Sequence, residues 1–348
     1  MLSAEVMEMN IAIYGAGSLG TIMGAYLSET YPVVDLIDTN KEHVARLNEN
    51  GAHVVGPDMT QRVTAFLPEE ITKTYDIVLL LTKQLYNPQV LPAVKAILKE
   101  DGILVSLQNG VPEEIIRQHI PSEQIIAGSV EFGATYVGPG QSRLTTDYAF
   151  FKKYALQIGE LDGATTDRIV RLKEVLDTIG GTEISDNLPG TKWSKLIINS
   201  AFSGLSAACN ATYGDVLDHP VLLRAAIHAM KEVLDVGHAH GIEFARMGEA
   251  DLTVYSELDD IDQKMIELPQ LMNSSRNLEA SMLQDLRKHQ PTEIDYINGV
   301  VTMYGETYGI PTPVNSMIQA LVRTAQDKRE VTDFEQSVEQ FKALLAVK

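Results

Sequence analysis

Asn10-Ile-Ala-Ile-Tyr-Gly15-Ala-Gly17-Ser-Leu-Gly20 opens a stretch that continues through an apolar segment to Glu29 and through Val33-Val-Asp-Leu-Ile37 to Asp38. The pattern is strand, glycine turn, helix, strand, acid. Gly15 permits the sharp turn out of the strand, Gly17 lets a pyrophosphate approach the backbone, and Gly20 allows helix and sheet to pack closely. Ser18 and Leu19 open the helix, so free N–H groups and the positive dipole end lie where phosphates would sit. A glycine triplet alone is a weak signal. Here it follows a β-rich run, opens a helix and is answered by an acid eighteen residues beyond Gly20. That is the full context of a dinucleotide-binding turn.

Asp38 sets the cofactor expectation. A carboxylate at the end of the second strand accepts hydrogen bonds from the adenosine ribose hydroxyls of NAD and repels the extra phosphate of NADP. NAD(H) is therefore favoured, and NADP(H) stays open because Lys41 can offset part of the repulsion.

The chain has 348 residues, long enough for two domains and a substantial core. Its formal net charge of −19 argues against nucleic acid or an anionic membrane as partner, since both require clustered positive charge. Any anionic ligand must then be met by a local positive pocket. The single cysteine, Cys209, excludes an intramolecular disulfide and a thiolate metal cage, and reads as a small buried helix residue. No early segment has the flanks of a signal peptide and no run approaches membrane-spanning length, so a cytoplasmic protein is expected. Met1–Met9 reads as a short flexible lead-in. The eight histidines form no metal-binding pattern, and His238 and His240, two apart on a helix, point in different directions. No metal is expected.

Strands and helices alternate over the first part, as in a doubly wound parallel sheet. A helix at Lys41–Asn50 and short strands at His53–Val55 and Arg62–Phe66 precede Tyr75–Leu81, a continuous apolar run typical of a strand buried on both faces. A helix to about Lys99 and a strand at Gly102–Leu107 follow. From Gln124 to Asp186 the pattern is more β-like: Ile125–Val137, a turn at Gly138-Pro-Gly140, Ser142–Thr146, Tyr154–Gly159, a helix at Thr165–Ile179 and a strand at Glu183–Ser185. Beyond Leu188 every regular segment reads as helix, beginning with Thr191–Asn210 and ending with Val331–Val347. The domain boundary falls near Asp186–Gly190, giving a dinucleotide-binding domain at 1–187 and a helical domain at 188–348. Apolar stripes on the last helices suit either a homodimer or intradomain packing.

Ligands of such sheets lie at the carboxyl ends of the strands. Lys83 and Asn109 each sit just past a buried strand, although a solvated loop charge and a turn-forming Asn-Gly would look the same. In Trp193-Ser-Lys195-Leu-Ile-Ile-Asn199, Lys195 and Asn199 share one face of a largely apolar helix. A lysine there needs a partner or a task; a structural ion pair is the plain alternative. Farther on come Ser281-Met-Leu-Gln-Asp285 and Thr292-Glu293-Ile-Asp295-Tyr-Ile-Asn298-Gly299. Thr292 reads as a helix cap paired with Asp295, which leaves Glu293 in the first turn, where a dipole alone would justify an acid.

These segments occur together, in order, in a known family. The glycine fingerprint, Lys83, Gln108-Asn109-Gly110, Pro139-Gly140, Ile158-Gly159-Glu160, Lys195-x-x-x-Asn199, the Ser281 and Glu293 motifs and Gly309-Ile-Pro-Thr-Pro313 resemble ketopantoate reductases (2-dehydropantoate 2-reductases) from Asn10 to about Asn315. The resemblance implies an N-terminal Rossmann domain, an all-helical C-terminal domain of the 6-phosphogluconate dehydrogenase type and an active site between them. It implies a catalytic lysine at Lys195 with Glu293 as its acidic partner. Substrate contacts would come from Asn199 and Ser281, and cofactor contacts from Lys83 and Asn109. The expected reaction is hydride transfer from NAD(P)H to the keto carbon of a 2-oxoacid, ketopantoate in the first instance.

Two positions depart from the family pattern. Ser203 stands where a second substrate asparagine is usual, with Gly204 where proline is common, and Asp38 replaces an arginine that reads the NADP phosphate. A second reading is therefore an NAD-dependent D-2-hydroxyacid dehydrogenase on the same scaffold, with Ser203 widening the pocket for branched or aromatic 2-oxoacids. A non-catalytic dinucleotide sensor would have no need of Lys195, Glu293 and Ser281.

Overall fold

Ile11–Tyr14, four consecutive buried residues, form the strand from which the glycine turn departs. The computed structural model describes residues 9–346; all but Met9 of the expected lead-in, and Val347 of the last expected helix, lie outside the described residues. The chain divides into two compact units between Leu188 and Pro189.

The strands of the first unit are β1 (Ile11–Tyr14), β2 (Val34–Ile37), β3 (Ala52–Val55), β4 (Met59–Gln61), β5 (Thr64–Phe66) and β6 (Tyr75–Leu80). They continue as β7 (Leu98–Ser106), β8 (Ile125–Val130), β9 (Ala134–Gly138), β10 (Gln141–Leu144), β11 (Leu156–Gly159) and β12 (Thr182–Ile184). Eight of them form one sheet in the order β12-β11-β8-β7-β6-β1-β2-β5. Its strands run parallel except at the β11–β8 pair. Apolar side chains fill both faces: Ile11, Ile13 and Leu36 join one core cluster, Ala12, Val78 and Leu80 the other. This explains why β6 reads as a continuous apolar run from Ile77 onward, since alternation is lost when both faces are covered. The helices of this unit are α1 (Ser18–Ser28), α2 (Lys41–Asn50), α3 (Asn87–Ile97), α4 (Glu113–Ile116), α5 (Tyr148–Lys153) and α6 (Asp167–Leu176).

A second sheet, in the order β4-β3-β10-β9, departs from the expected single doubly wound sheet. The run Ile125–Val137 is not one strand; it breaks at 131–133 and enters both sheets. At the break the Glu131 N–H donates to Ala155 O at 2.9 Å and the Gly133 N–H to Thr146 Oγ1 at 2.8 Å. Apolar periodicity carries no mark of such a change of partner. The helix α5 lies between the expected strands Ser142–Thr146 and Tyr154–Gly159, where the sequence pattern marks no element, and its cap is Asp147, whose side chain accepts from the Phe150 N–H at 3.0 Å.

The buried carboxylate Glu160 ties β11 to α6. It accepts from Arg168 Nε at 2.8 Å, from the Arg168 terminal nitrogen and from Thr166 Oγ1. Burial pushes its pKa up, but the Arg168 and Thr166 hydrogen bonds outweigh that and hold it below the usual carboxylate range. The pair therefore contributes stability that is full above the ordinary carboxylate pKa and is lost as pH falls through the depressed folded value. Arg168→Ala should cost about 3 kcal/mol near neutral pH, because it leaves a buried charge unpaired. Urea unfolding followed by circular dichroism should show the gap from wild type closing as the buffer is taken below about pH 4. A gap that is unchanged in acid would show that the pair contributes nothing beyond packing.

The second unit is helical: α7 (Leu188–Ile198), whose first residue belongs to the preceding unit, α8 (Gly204–Cys209), α9 (Tyr213–Asp218), α10 (Pro220–Ala239) and α11 (Ile261–Leu271). It ends with α12 (Ser281–Arg287), α13 (Asn298–Tyr308), α14 (Pro313–Lys328) and α15 (Phe334–Leu345). Helix α10 packs against α13, α14 and α15. Cys209 is fully buried and burial pushes its thiol up to about 12, so it has no thiolate character at neutral pH. Among the described residues no helix is long and apolar enough to cross a membrane.

Candidate active site

In the first unit the glycine turn leaves β1 with Gly15 at φ +102°, and the N–H groups of Gly15 and Ala16 donate to Ile37 O at 2.9 and 3.0 Å. A Cβ on Gly15 would lie 2.7 Å from Thr82 N, and one on Gly20 would lie 2.4 Å from Gly15 O. Both positions exclude a side chain because of protein already there. Gly17 differs, since a Cβ there would meet nothing within 4 Å. It is the N-cap of α1, so the open space lies where free helix N–H groups favour an anion.

Gly15 and Gly17 line a cavity of about 680 Å³ together with Asp38, Lys83, Glu69 and Tyr14. Asp38 Oδ1 accepts from the Asn40 N–H at 2.9 Å, which pins the carboxylate; its other oxygen has no hydrogen bond among the described residues. Glu69 is a second carboxylate on the wall. Tyr14 registers it: burial first, then the Glu69 charge, raise its phenol pKa. Lys41 opens α2 as an exposed residue and is not part of the wall.

Lys83 and Asn109 sit on loops that are cross-tied. Gln108 Nε2 donates to Thr82 O at 2.7 Å and to Asn87 Oδ1 at 2.8 Å, Asn87 Nδ2 donates back to Gln108 Oε1 at 3.1 Å, and Gln84 Nε2 donates to Asn109 O. Lys83 is half-buried and the Asn109 side chain exposed. The glycine turn has its own brace. The Gly140 N–H donates to His43 Nδ1 at 2.9 Å, which puts the ring proton on Nε2, 2.8 Å from Ala16 O. Ser142 Oγ donates to Ser18 O at 2.7 Å. The two carbonyls that flank Gly17 are thus held by His43 of α2, itself fixed from the β9–β10 turn, and by Ser142 of β10.

In the second unit Lys195 and Asn199 are half-buried on a helix whose neighbours Trp193, Leu196 and Ile197 are buried. The expected continuous helix Thr191–Asn210 is interrupted: Asn199–Ser203 form a π turn, a distortion that occurs often at functional sites. The Asn199 amide and the exposed Ser281 hydroxyl have no hydrogen-bond partner among the described residues, and α12, which begins at Ser281, packs against the π turn. Ser203 is different. Its hydroxyl lies 2.6 Å from the buried Tyr213 phenol, so this side chain points to an internal partner.

The expected capping box at Thr292 is absent. Thr292 Oγ1 donates to Gln326 Oε1 at 3.0 Å, and Asp295 accepts from Arg323 Nε at 2.6 Å and Gln319 Nε2 at 2.9 Å. The helix itself begins only at Asn298. Glu293 is half-buried ahead of a three-residue 3-10 turn, too short to supply the dipole that would make an acid there merely structural. Sequence reasoning passed over Glu69, Tyr213, His43 and the Gln84–Asn87–Gln108 ties. Among the described residues no group of three metal-ligating side chains is placed to hold a metal ion.

Residues 11–162 match the family model Ketopantoate reductase PanE/ApbA, and residues 187–326 match Ketopantoate reductase PanE/ApbA C terminal. The chain belongs to the ketopantoate reductase family. A 2-dehydropantoate 2-reductase of Streptococcus pyogenes serotype M6 is 29% identical over 322 residues, covering 91% of this chain and 98% of its own. One from Pyrococcus horikoshii is 28% identical over 331 residues, covering 91% and 98%. Among solved structures, D-mandelate dehydrogenase with NADH and anilino(oxo)acetate superposes with a TM-score of 0.78 at 25% identity, covering 92% of this chain and 99% of its own. A ketopantoate reductase family member from Ralstonia eutropha JMP134 gives 0.77 at 27% identity, covering 92% and 99%. As a ketopantoate reductase family member, the chain is an NAD(P)-dependent oxidoreductase of the 2-oxoacid/2-hydroxyacid class.

Proposed function

We propose that the chain reduces a 2-oxoacid to the 2-hydroxyacid with NADH, with ketopantoate as the first substrate to consider. The observation that carries the cofactor reading is the cavity in which the open Gly17 backbone, Asp38 and Glu69 converge. The glycine turn and the α1 N-terminus would hold the pyrophosphate, and the free Asp38 oxygen the ribose hydroxyls. Lys83, on the same wall, would supply local positive charge against the net negative charge of the chain. When bound, the reduced nicotinamide supplies a hydride to the keto carbon.

The chain's own chemistry then concerns charge and protons. The Lys195 ammonium meets the carbonyl oxygen, stabilises the negative charge that develops there and donates its proton. Glu293 balances and orients that ammonium. Asn199 and Ser281, whose polar groups are uncommitted among the described residues, hold the substrate. The second reading, a D-2-hydroxyacid dehydrogenase for branched or aromatic 2-oxoacids, draws on Ser203. Its hydroxyl turns to Tyr213, so the position offers a substrate side chain less polar contact than an asparagine would.

Steady-state reduction of ketopantoate and of bulkier 2-oxoacids, each with NADH and NADPH, separates these readings. NADH should lead NADPH by about tenfold or more in kcat/KM, a difference of about 1.4 kcal/mol. Tight NADH binding with no turnover on any 2-oxoacid would reduce the chain to a dinucleotide-binding protein.

A further inference from the structure

The π turn Asn199–Ser203 is held from outside itself. An i→i+5 turn inside an α-helix disturbs the ordinary i→i+4 ladder, and a buried carbonyl left without a donor is costly. The Ser200 carbonyl receives its donor from the side chain of Asn298, with Nδ2 at 3.0 Å. Asn298 is fully buried, and the same amide donates to Asn315 Oδ1 at 2.9 Å. Asn315 is fixed in turn by Glu232, whose Oε2 accepts from its backbone N–H at 2.9 Å and its Nδ2 at 2.8 Å. Glu232 Oε1 accepts from the Val314 N–H at 2.9 Å, so the carboxylate caps α14 where the helix dipole favours it. Gly204 leaves the room this requires: a Cβ there would lie 2.7 Å from Oδ1 and 2.9 Å from Nδ2 of Asn298.

A buried relay thus runs from a helix-capping carboxylate to the carbonyl next to Asn199. We infer that Asn298 is a positioning residue for substrate recognition, setting the direction of the Asn199 amide by holding the π register. This rests on the proposed role of Asn199 as a substrate contact. Without the hold, the segment relaxes toward an ordinary α-helix, and one residue of register turns Asn199 by about 100° relative to the helix beyond it.

The test is a double-mutant cycle with purified full-length enzyme. Asn298→Asp is nearly isosteric but replaces the Nδ2 donor by an acceptor; Asn298→Ser serves if the aspartate variant does not fold. Either should raise the 2-oxoacid KM and lower kcat/KM by about 10- to 100-fold, the scale of a misplaced binding group. NADH affinity from fluorescence titration should stay within about twofold, and in an Asn199→Ala background the same change should cost less than about threefold, because the two residues act through one contact. An equal loss in both backgrounds, a parallel loss of NADH affinity, or wild-type kcat/KM would each overturn the inference. A wild-type enzyme that reduces no 2-oxoacid would remove the proposed function and this inference together, whereas these outcomes with an active wild type bear on Asn298 alone.

Discussion

Lys195→Ala is expected to lower kcat by about two to four orders of magnitude, the range for loss of a positioned proton donor. The side chain is half-buried on α7, where the flanking Trp193, Leu196 and Ile197 are buried. The ammonium therefore acts with reduced competition from water, which makes its interaction with a nascent alkoxide stronger than in bulk solvent. NADH affinity should be retained, since the expected dinucleotide contacts lie in the glycine-turn unit. Lys195→Arg keeps the charge but replaces a compact donor by a planar fork that holds its proton far more firmly, so only partial recovery is expected. Single-turnover measurement of NADH oxidation separates the chemical step from binding. A Lys195→Ala enzyme with near-normal turnover would remove Lys195 from the mechanism and leave it as a structural cation.

The local patterns that announce this site differ in how much they reveal. The glycine fingerprint was legible because each glycine answers a local demand. Gly15 and Gly20 have protein where a side chain would go, and Gly17 has open space. β6 was legible from its apolar run, and the helical unit from the loss of strand signals after Leu188. What stayed hidden depends on partners distant in sequence. The second sheet pairs β3 with β10, and periodicity does not say which sheet a strand will join. His43 was invisible for the same reason, since its two ring nitrogens meet Ala16 and Gly140, far apart along the chain. The capping box at Thr292 failed because Gln326 and Arg323 from α14 compete for Thr292 and Asp295; a local motif lost to tertiary partners. The π turn has no local signature of its own, because its support comes from Asn298.

Asp38→Arg is expected to change the ratio of kcat/KM for NADPH to that for NADH by about 100-fold in favour of NADPH, equivalent to about 3 kcal/mol, within the range for close charge pairs. Two effects add. Removing the carboxylate loses the acceptor for the ribose hydroxyls, and the guanidinium gains a bidentate contact to a 2′-phosphate. The gain will be incomplete while Glu69 remains on the same wall, because a second carboxylate still opposes the phosphate. Glu69→Gln on its own should improve NADPH modestly, and combined with Asp38→Arg it should extend the shift beyond the single change. The dependence on ionic strength gives an independent check: at about 1 M salt the discrimination of the wild type against NADPH should weaken, since the screening length there falls to about 3 Å, no more than the separation of these charges. Both variants leave the π turn and Lys195 untouched, so kcat with the better cofactor should stay near that of the wild type. An unchanged preference after Asp38→Arg would place the ribose away from the end of β2. The cavity that joins Gly17 to Asp38 would then need another occupant.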